Sequence, residues 1–245
     1  MDDFTGKVVL ITGAGKGVGR EAALAFSSFG ASIAANDINP LGLDETVKRI
    51  AENEGIAQPY VFDIAKRMPI EGMVAQVLDH FGRIDILVNH AAVTPDAALL
   101  EMDEWDFHRT LDVNLGGPFF TMQQVGRVMR QQGGGVMLNL ISTAGEDQVR
   151  RGQSATFASQ AGLIGLTQVA ARELAAWNIR VNSVGSGPQM PGLAIPNSWL
   201  LADYHQWLDH HSELNLSWFS GLVSLILYLC SDSAATITGQ TIWYG

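Results

Sequence analysis

Short apolar runs rich in β-branched residues alternate along this chain with longer stretches in which apolar positions recur every three or four residues. The runs at 8–12, 32–36, 60–62, 84–89, 136–141, 180–184 and 241–243 read as strands, and the stretches opening near Val18, Leu43, Pro69, Trp105, Thr156 and Trp218 read as helices. Strands that each feed a helix predict an α/β fold, a doubly wound, mainly parallel sheet of seven strands with helices on both faces. A ligand of such a sheet lies at the carboxyl ends of its strands.

The regular pattern fails only over 187–216, which reads as a short insertion over the cleft, and no proline- or serine-rich linker divides the chain. One domain spanning 1–245 is therefore expected, and 245 residues suffice to bury a core without a disulfide or metal staple. The net charge of −10, with no clustered basic face, opposes nucleic acid as a partner. Cys230 is the single cysteine and lies in an apolar run, so it reads as a buried small hydrophobe. That run, 218–230, is too short to span a bilayer and reads as a buried helix. Asp2 and Asp3 precede the first strand, the wrong charge for a signal peptide, and a reducing cytoplasm is the expected location.

Gly13, Gly15, Gly17 and Gly19 lie between the first strand and first helix, where backbone amides at the helix start can face a pyrophosphate. Asp37 ends the second strand, where a carboxylate accepts from a ribose hydroxyl and repels a 2′-phosphate. NAD is therefore the expected cofactor over NADP, although Lys16 offers a charge to the extra phosphate.

Thr12-Gly13-x-x-x-Gly17-x-Gly19 resembles the loop of the short-chain dehydrogenase/reductase family, a Rossmann-like fold. Asp63-Ile64 resembles that family's adenine-contacting pair, and Asn89-His90-Ala91-Ala92 its Asn-Asn-Ala-Gly element. Asp112-Val113-Asn114 resembles the helical segment carrying its asparagine, and Leu140-Ile141-Ser142 the strand end carrying its serine. The resemblance spans the chain as far as Thr238-Gly239-Gln240 and is similar to the 3-oxoacyl carrier-protein reductase type. It implies cofactor contacts from Gly13, Gly15, Lys16, Gly17, Val18, Gly19, Asp37, Asp63, Ile64, Asn89, Ala91, Gly187 and Pro188. It also implies a homo-oligomer, tetramer or dimer; the small residues Ala158, Ala161, Gly162 and Gly165 and the apolar stretch 218–230 suit close association.

The same resemblance puts Thr156 at the family's tyrosine position and Gln160 at its lysine position, leaving Asn114 and Ser142 as the retained members of the catalytic set. A phenol beside an ammonium is tuned toward neutrality, whereas a threonine hydroxyl beside a glutamine is not. The expectation is an NAD(H)-binding protein with impaired hydride chemistry, a sensor or a non-catalytic partner subunit. The alternatives are an active NAD(P)-dependent oxidoreductase with a relocated acid and a scaffold that binds no dinucleotide. Tyr204, His205, His210 and His211, with Asp203 and Asp209, are the candidates for that acid; they more simply form a solvated helix, and no metal site is expected.

Overall fold

A computed structural model describes residues 4–142, 151–186 and 221–244. Seven strands form one parallel sheet in the order β3-β2-β1-β4-β5-β6-β7: β1 (Val8–Thr12), β2 (Ser32–Asp37), β3 (Ile56–Val61), β4 (Ile86–Asn89), β5 (Gly135–Ser142), β6 (Ile179–Ser186) and β7 (Thr241–Tyr244). The described helices are α1 (Gly17–Ser28), α2 (Pro40–Glu52), α3 (Arg67–Phe81), α4 (Glu104–Leu111), α5 (Gly117–Gln132), α6 (Ser154–Leu174) and α7 (Gly221–Cys230). This is a single-domain Rossmann-like fold, as the alternation predicts.

Successive side chains of β1 point to opposite faces, and both faces are covered. Val9 and Ile11 pack with Phe26 of α1, Leu43 of α2 and Ile226 of α7, while Val8 and Leu10 pack with Met73 of α3 and Val125 of α5. Double burial explains why the central strands read as continuous apolar runs instead of alternating ones. The chain winds outward from β1 through β2 to β3, then returns to β4 on the other side of β1. The crevice at this reversal opens over the carboxyl ends of β1 and β4.

Four expectations about elements are corrected. The third strand occupies Ile56–Val61 and not 60–62, because it is an edge strand whose Ile56 and Val61 face solvent and whose Pro59 breaks the apolar pattern. The fourth strand pairs only from Ile86; Ile84 and Asp85 precede the ladder, and the Asp85 carboxylate accepts from the Val8 N–H and from Arg83. The helix expected from Trp105 is broken by a π-helical turn, Asp112–Gly116, between α4 and α5. Finally, α7 is buried by its own chain against α1 and the sheet, so its apolarity needs no partner subunit. Burial pushes the Cys230 thiol up to about 12, keeping it an inert thiol. The insertion over 187–216 lies outside the described residues, and among those described no helix is long and apolar enough to cross a membrane.

Candidate functional site

The crevice holds a cavity of about 740 Å³, within the range of small-molecule sites. Its walls run from the glycine loop (Gly13, Gly15, Lys16, Val18) past Asp37 to Asp63 and Ile64, and on the other side to Ala91 and Ile141.

Each loop glycine has its own reason. A Cβ at Gly13 would come within 2.8 Å of the Ala91 Cα, and one at Gly19 within 2.3 Å of the Gly13 carbonyl oxygen. A Cβ at Gly15 would meet Asp37 Oδ2 at 2.7 Å. Gly13 and Gly17 both have left-handed φ, +71° and +54°, and Gly17 differs in that the space where a Cβ would project is open. The Lys16 N-cap makes no side-chain capping bond to α1, and no acidic residue lies in the first turn. These uncapped amides, with the helix dipole behind them and open space before them, form a cradle for an anion. The loop thus fits the pyrophosphate of a dinucleotide.

Asp37 does more than the sequence suggests. Its Oδ2 accepts the Gly15 N–H at 2.9 Å and its Oδ1 accepts the Asn39 N–H at 2.9 Å, so the carboxylate ties the loop to the entrance of α2. Each oxygen keeps a further lone pair for a ribose hydroxyl. Arg20 braces the same region: its Nε donates to Thr46 Oγ1 at 2.9 Å and its Nη2 to the Gly15 and Gly42 carbonyls. Lys16 is exposed at the rim. His90 lines the cavity against Gly19, and burial lowers its pKa, partly countered by the charge of Asp37.

Asp63 and Ile64 follow β3 as expected, and Asp63 is gripped by Arg109 of α4 through Nη1–Oδ2 at 2.9 Å and Nη2–Oδ1 at 3.3 Å. Asn89 stands apart from the cavity. Thr121 Oγ1 donates to its Oδ1 at 2.7 Å and its Nδ2 donates to Asn139 Oδ1 at 2.9 Å, a buried polar chain that continues through Asn139 Nδ2 to Thr167 on α6. Its side chain fastens α5 to the sheet.

On the reaction side, the π-turn presents Asn114 to the loop after β4. Its Oδ1 accepts the Val93 N–H at 2.8 Å and its Nδ2 donates to the Val93 carbonyl at 2.9 Å and to Ser159 Oγ at 3.3 Å. Ser159 Oγ in turn donates to the Thr156 carbonyl at 2.7 Å. Asn114, Ser159 and the Thr156 carbonyl therefore meet where α6 faces the π-turn, with Gln160 buried one residue further along α6. Thr156 and Gln160 are 3% and 2% exposed, and among the described residues neither Thr156 Oγ1 nor Gln160 Oε1 has a hydrogen-bond partner. Ser142 ends β5. Gly187, Pro188 and the side chains from Asp203 to His211 lie outside the described residues, and among those described no three metal-ligating side chains come together.

Sequence reasoning missed Arg20, Asn39, Thr46 and Arg109. Arg109 is 46 positions from Asp63, a separation that no local pattern reports. Asn39 was legible, since asparagine before Pro40 is a helix-start signal, and its Oδ1 does accept from the Leu41 N–H at 3.1 Å.

Fold and cavity together define a Rossmann-type chain with its ligand crevice at the switch point of a parallel sheet. A family model described as enoyl-(acyl carrier protein) reductase matches residues 13–244. A 3-oxoacyl-[acyl-carrier-protein] reductase of Thermotoga maritima is 38% identical over 240 residues, covering 97% of this chain and 95% of its own. An uncharacterized oxidoreductase of the same organism is 42% identical, covering 98% and 96%. Among solved structures, a short-chain type dehydrogenase/reductase from Mycobacterium marinum has 32% identity and a TM-score of 0.82, covering 99% of this chain and 94% of that one. A xylitol dehydrogenase solved with NAD+ bound has 28% identity and a TM-score of 0.80, covering 98% of each. The chain belongs to the short-chain dehydrogenase/reductase family, whose members are oxidoreductases that bind NAD(P).

Proposed function

We propose that this chain binds NAD(H) and is catalytically impaired, acting as a dinucleotide sensor or as the non-catalytic subunit of an assembly. One observation carries the reading. At the two positions where the family resemblance places a tyrosine and a lysine, the chain has Thr156 and Gln160, both buried and both with an oxygen that has no partner among the described residues. Neither side chain titrates near neutrality, and a buried polar atom without a partner is costly enough to call for a ligand or a function. When bound, the nicotinamide would supply or accept a hydride. The chain's own part is to hold pyrophosphate at the α1 amides, ribose at Asp37 and, through Asn114, the loop at Val93.

Asp37 supports NAD over NADP, because its carboxylate is tied in place by two backbone amides and cannot easily swing away from a 2′-phosphate. Exposed Ala158, Gly165 and Val169 on α6 and Phe119 on α5 support a homo-oligomer; Gly162 instead serves the chain itself, since a Cβ there would meet the Leu115 side chain at 3.0 Å. A reducing cytoplasmic setting is kept in this proposal for the lone, buried Cys230.

The second reading is an active reductase using an acid from 203–211, and the 38% identity to the Thermotoga maritima 3-oxoacyl reductase favours it. Calorimetric titration with NAD and NADH establishes binding. Single-turnover hydride transfer from bound NADH to a 3-oxoacyl thioester then separates the readings: no transfer supports the impaired protein, and rapid transfer overturns it.

A further inference from the structure

We infer that Arg109 is a positioning residue that sets the base selectivity of the site, holding Asp63 as an acceptor for a 6-amino purine. The inference rests on the dinucleotide reading of the cavity and goes beyond it. Phosphate groups held at the loop after β1 and a ribose held at Asp37 of β2 leave the next strand outward, β3, to meet the base. There the wall holds the apolar side chains of Phe62, Ile64 and Val113 around one carboxylate, Asp63, whose guanidinium partner Arg109 also lines the cavity but is committed to that carboxylate. An apolar slot with a single ionised acceptor favours a flat ring carrying an amine at its edge.

The acceptor is prepared by Arg109 of α4, which lines the same cavity beside it. Asp63 Oδ1 already takes two donors, the Ala65 N–H at 2.9 Å and Arg109 Nη2 at 3.3 Å. Among the described residues Oδ2 takes only Arg109 Nη1 at 2.9 Å, so Oδ2 keeps the lone pair that a base amine would use. Burial raises the Asp63 pKa, but the Arg109 hydrogen bonds, the Ala65 amide and the guanidinium charge outweigh it and keep the group below the usual carboxylate range. A bidentate arginine fixes the plane of the carboxylate as well as its charge. A 6-oxo purine would set its carbonyl oxygen against Oδ2, two acceptors facing one another.

The test compares NAD with nicotinamide hypoxanthine dinucleotide by calorimetry, without any turnover. A hydrogen bond to a charged group contributes roughly 1.5–3 kcal/mol, so the wild-type protein should bind NAD at least about tenfold more tightly. Arg109→Gln should weaken NAD binding and leave the hypoxanthine analogue nearly unchanged, collapsing the ratio. Arg109→Lys, which keeps the charge without the fork, should reduce the ratio less, and cooperative melting of each variant checks its fold. Equal weakening of both dinucleotides would mean that Arg109 only supports the fold, which overturns the inference. Wild-type binding with no 6-amino preference overturns the base assignment alone, whereas no binding of either dinucleotide removes the dinucleotide reading itself.

Discussion

The Asp37 carboxylate accepts the Gly15 N–H at 2.9 Å and so couples the glycine loop to the residue that faces a ribose. A Cβ at Gly15 would lie 2.7 Å from that oxygen, so Gly15→Ala must displace either the loop or the carboxylate. The expected result is a loss of at least about tenfold in NAD affinity with a folded protein, on the order of one charge-assisted hydrogen bond. Unchanged affinity by calorimetry would show that this contact does not shape the site.

Asp37 should also govern the choice between phosphorylated and unphosphorylated cofactor. Competition titrations should give tighter binding of NAD than NADP, and Asp37→Ala should narrow the difference, leaving Lys16 and Arg20 nearby to meet a 2′-phosphate. A preference that survives Asp37→Ala would assign it to other groups.

Asn114 clamps both backbone groups of Val93 from the π-turn, and it is buried. Asn114→Ala leaves that N–H and C=O without their partner, which should cost about 1–3 kcal/mol in denaturant unfolding. A loss below a few tenths would mean that the loop finds other partners.

The pH dependence of stability should carry a contribution from His90. Burial lowers its folded pKa below the ordinary imidazole value of about 6.5, although the nearby charge of Asp37 opposes this. The unfolded chain then binds a proton that the folded one refuses, so stability falls as pH drops below that value and is unaffected well above it. Melting temperatures measured between pH 7 and 5 should decline more steeply for the wild type than for His90→Asn. Parallel declines would remove His90 from the account.

Much of the fold was legible because double burial makes β1 and β4 nearly continuous apolar runs and leaves enough apolar residues in β5 and β6 to mark them, a signal carried by each strand alone. Ile56–Val61 was misplaced for the opposite reason: as an edge strand it gains stability from its ladder to β2 and shows little apolar pattern. The π-turn at Asp112–Gly116 was hidden because its residues read as ordinary helix, and only the Asn114 bonds to Val93 show what it does. At the site, the glycines and Asp37 announced themselves through spacing. Asn89 did too, yet its side chain is committed to Thr121 and Asn139, a role visible only once distant segments meet. Arg109 and Arg20 act across 46 and 26 positions, on partners that sequence spacing does not pair.

Thr156 and Gln160 put no group that titrates near neutrality at their two positions on α6, and NADH oxidation by the unmodified chain against ketones, aldehydes and 3-oxoacyl thioesters reads this out directly. A missing general acid or base costs typically ~10²–10⁴-fold, so turnover should lie far below the roughly 1–10³ per second of ordinary enzymes. Thr156→Tyr and Gln160→Lys should each recover little alone and more together, since groups acting as a unit do not contribute additively. Turnover by the unmodified chain at ordinary rates would contradict the account and make Tyr204 and His205 the next residues to replace.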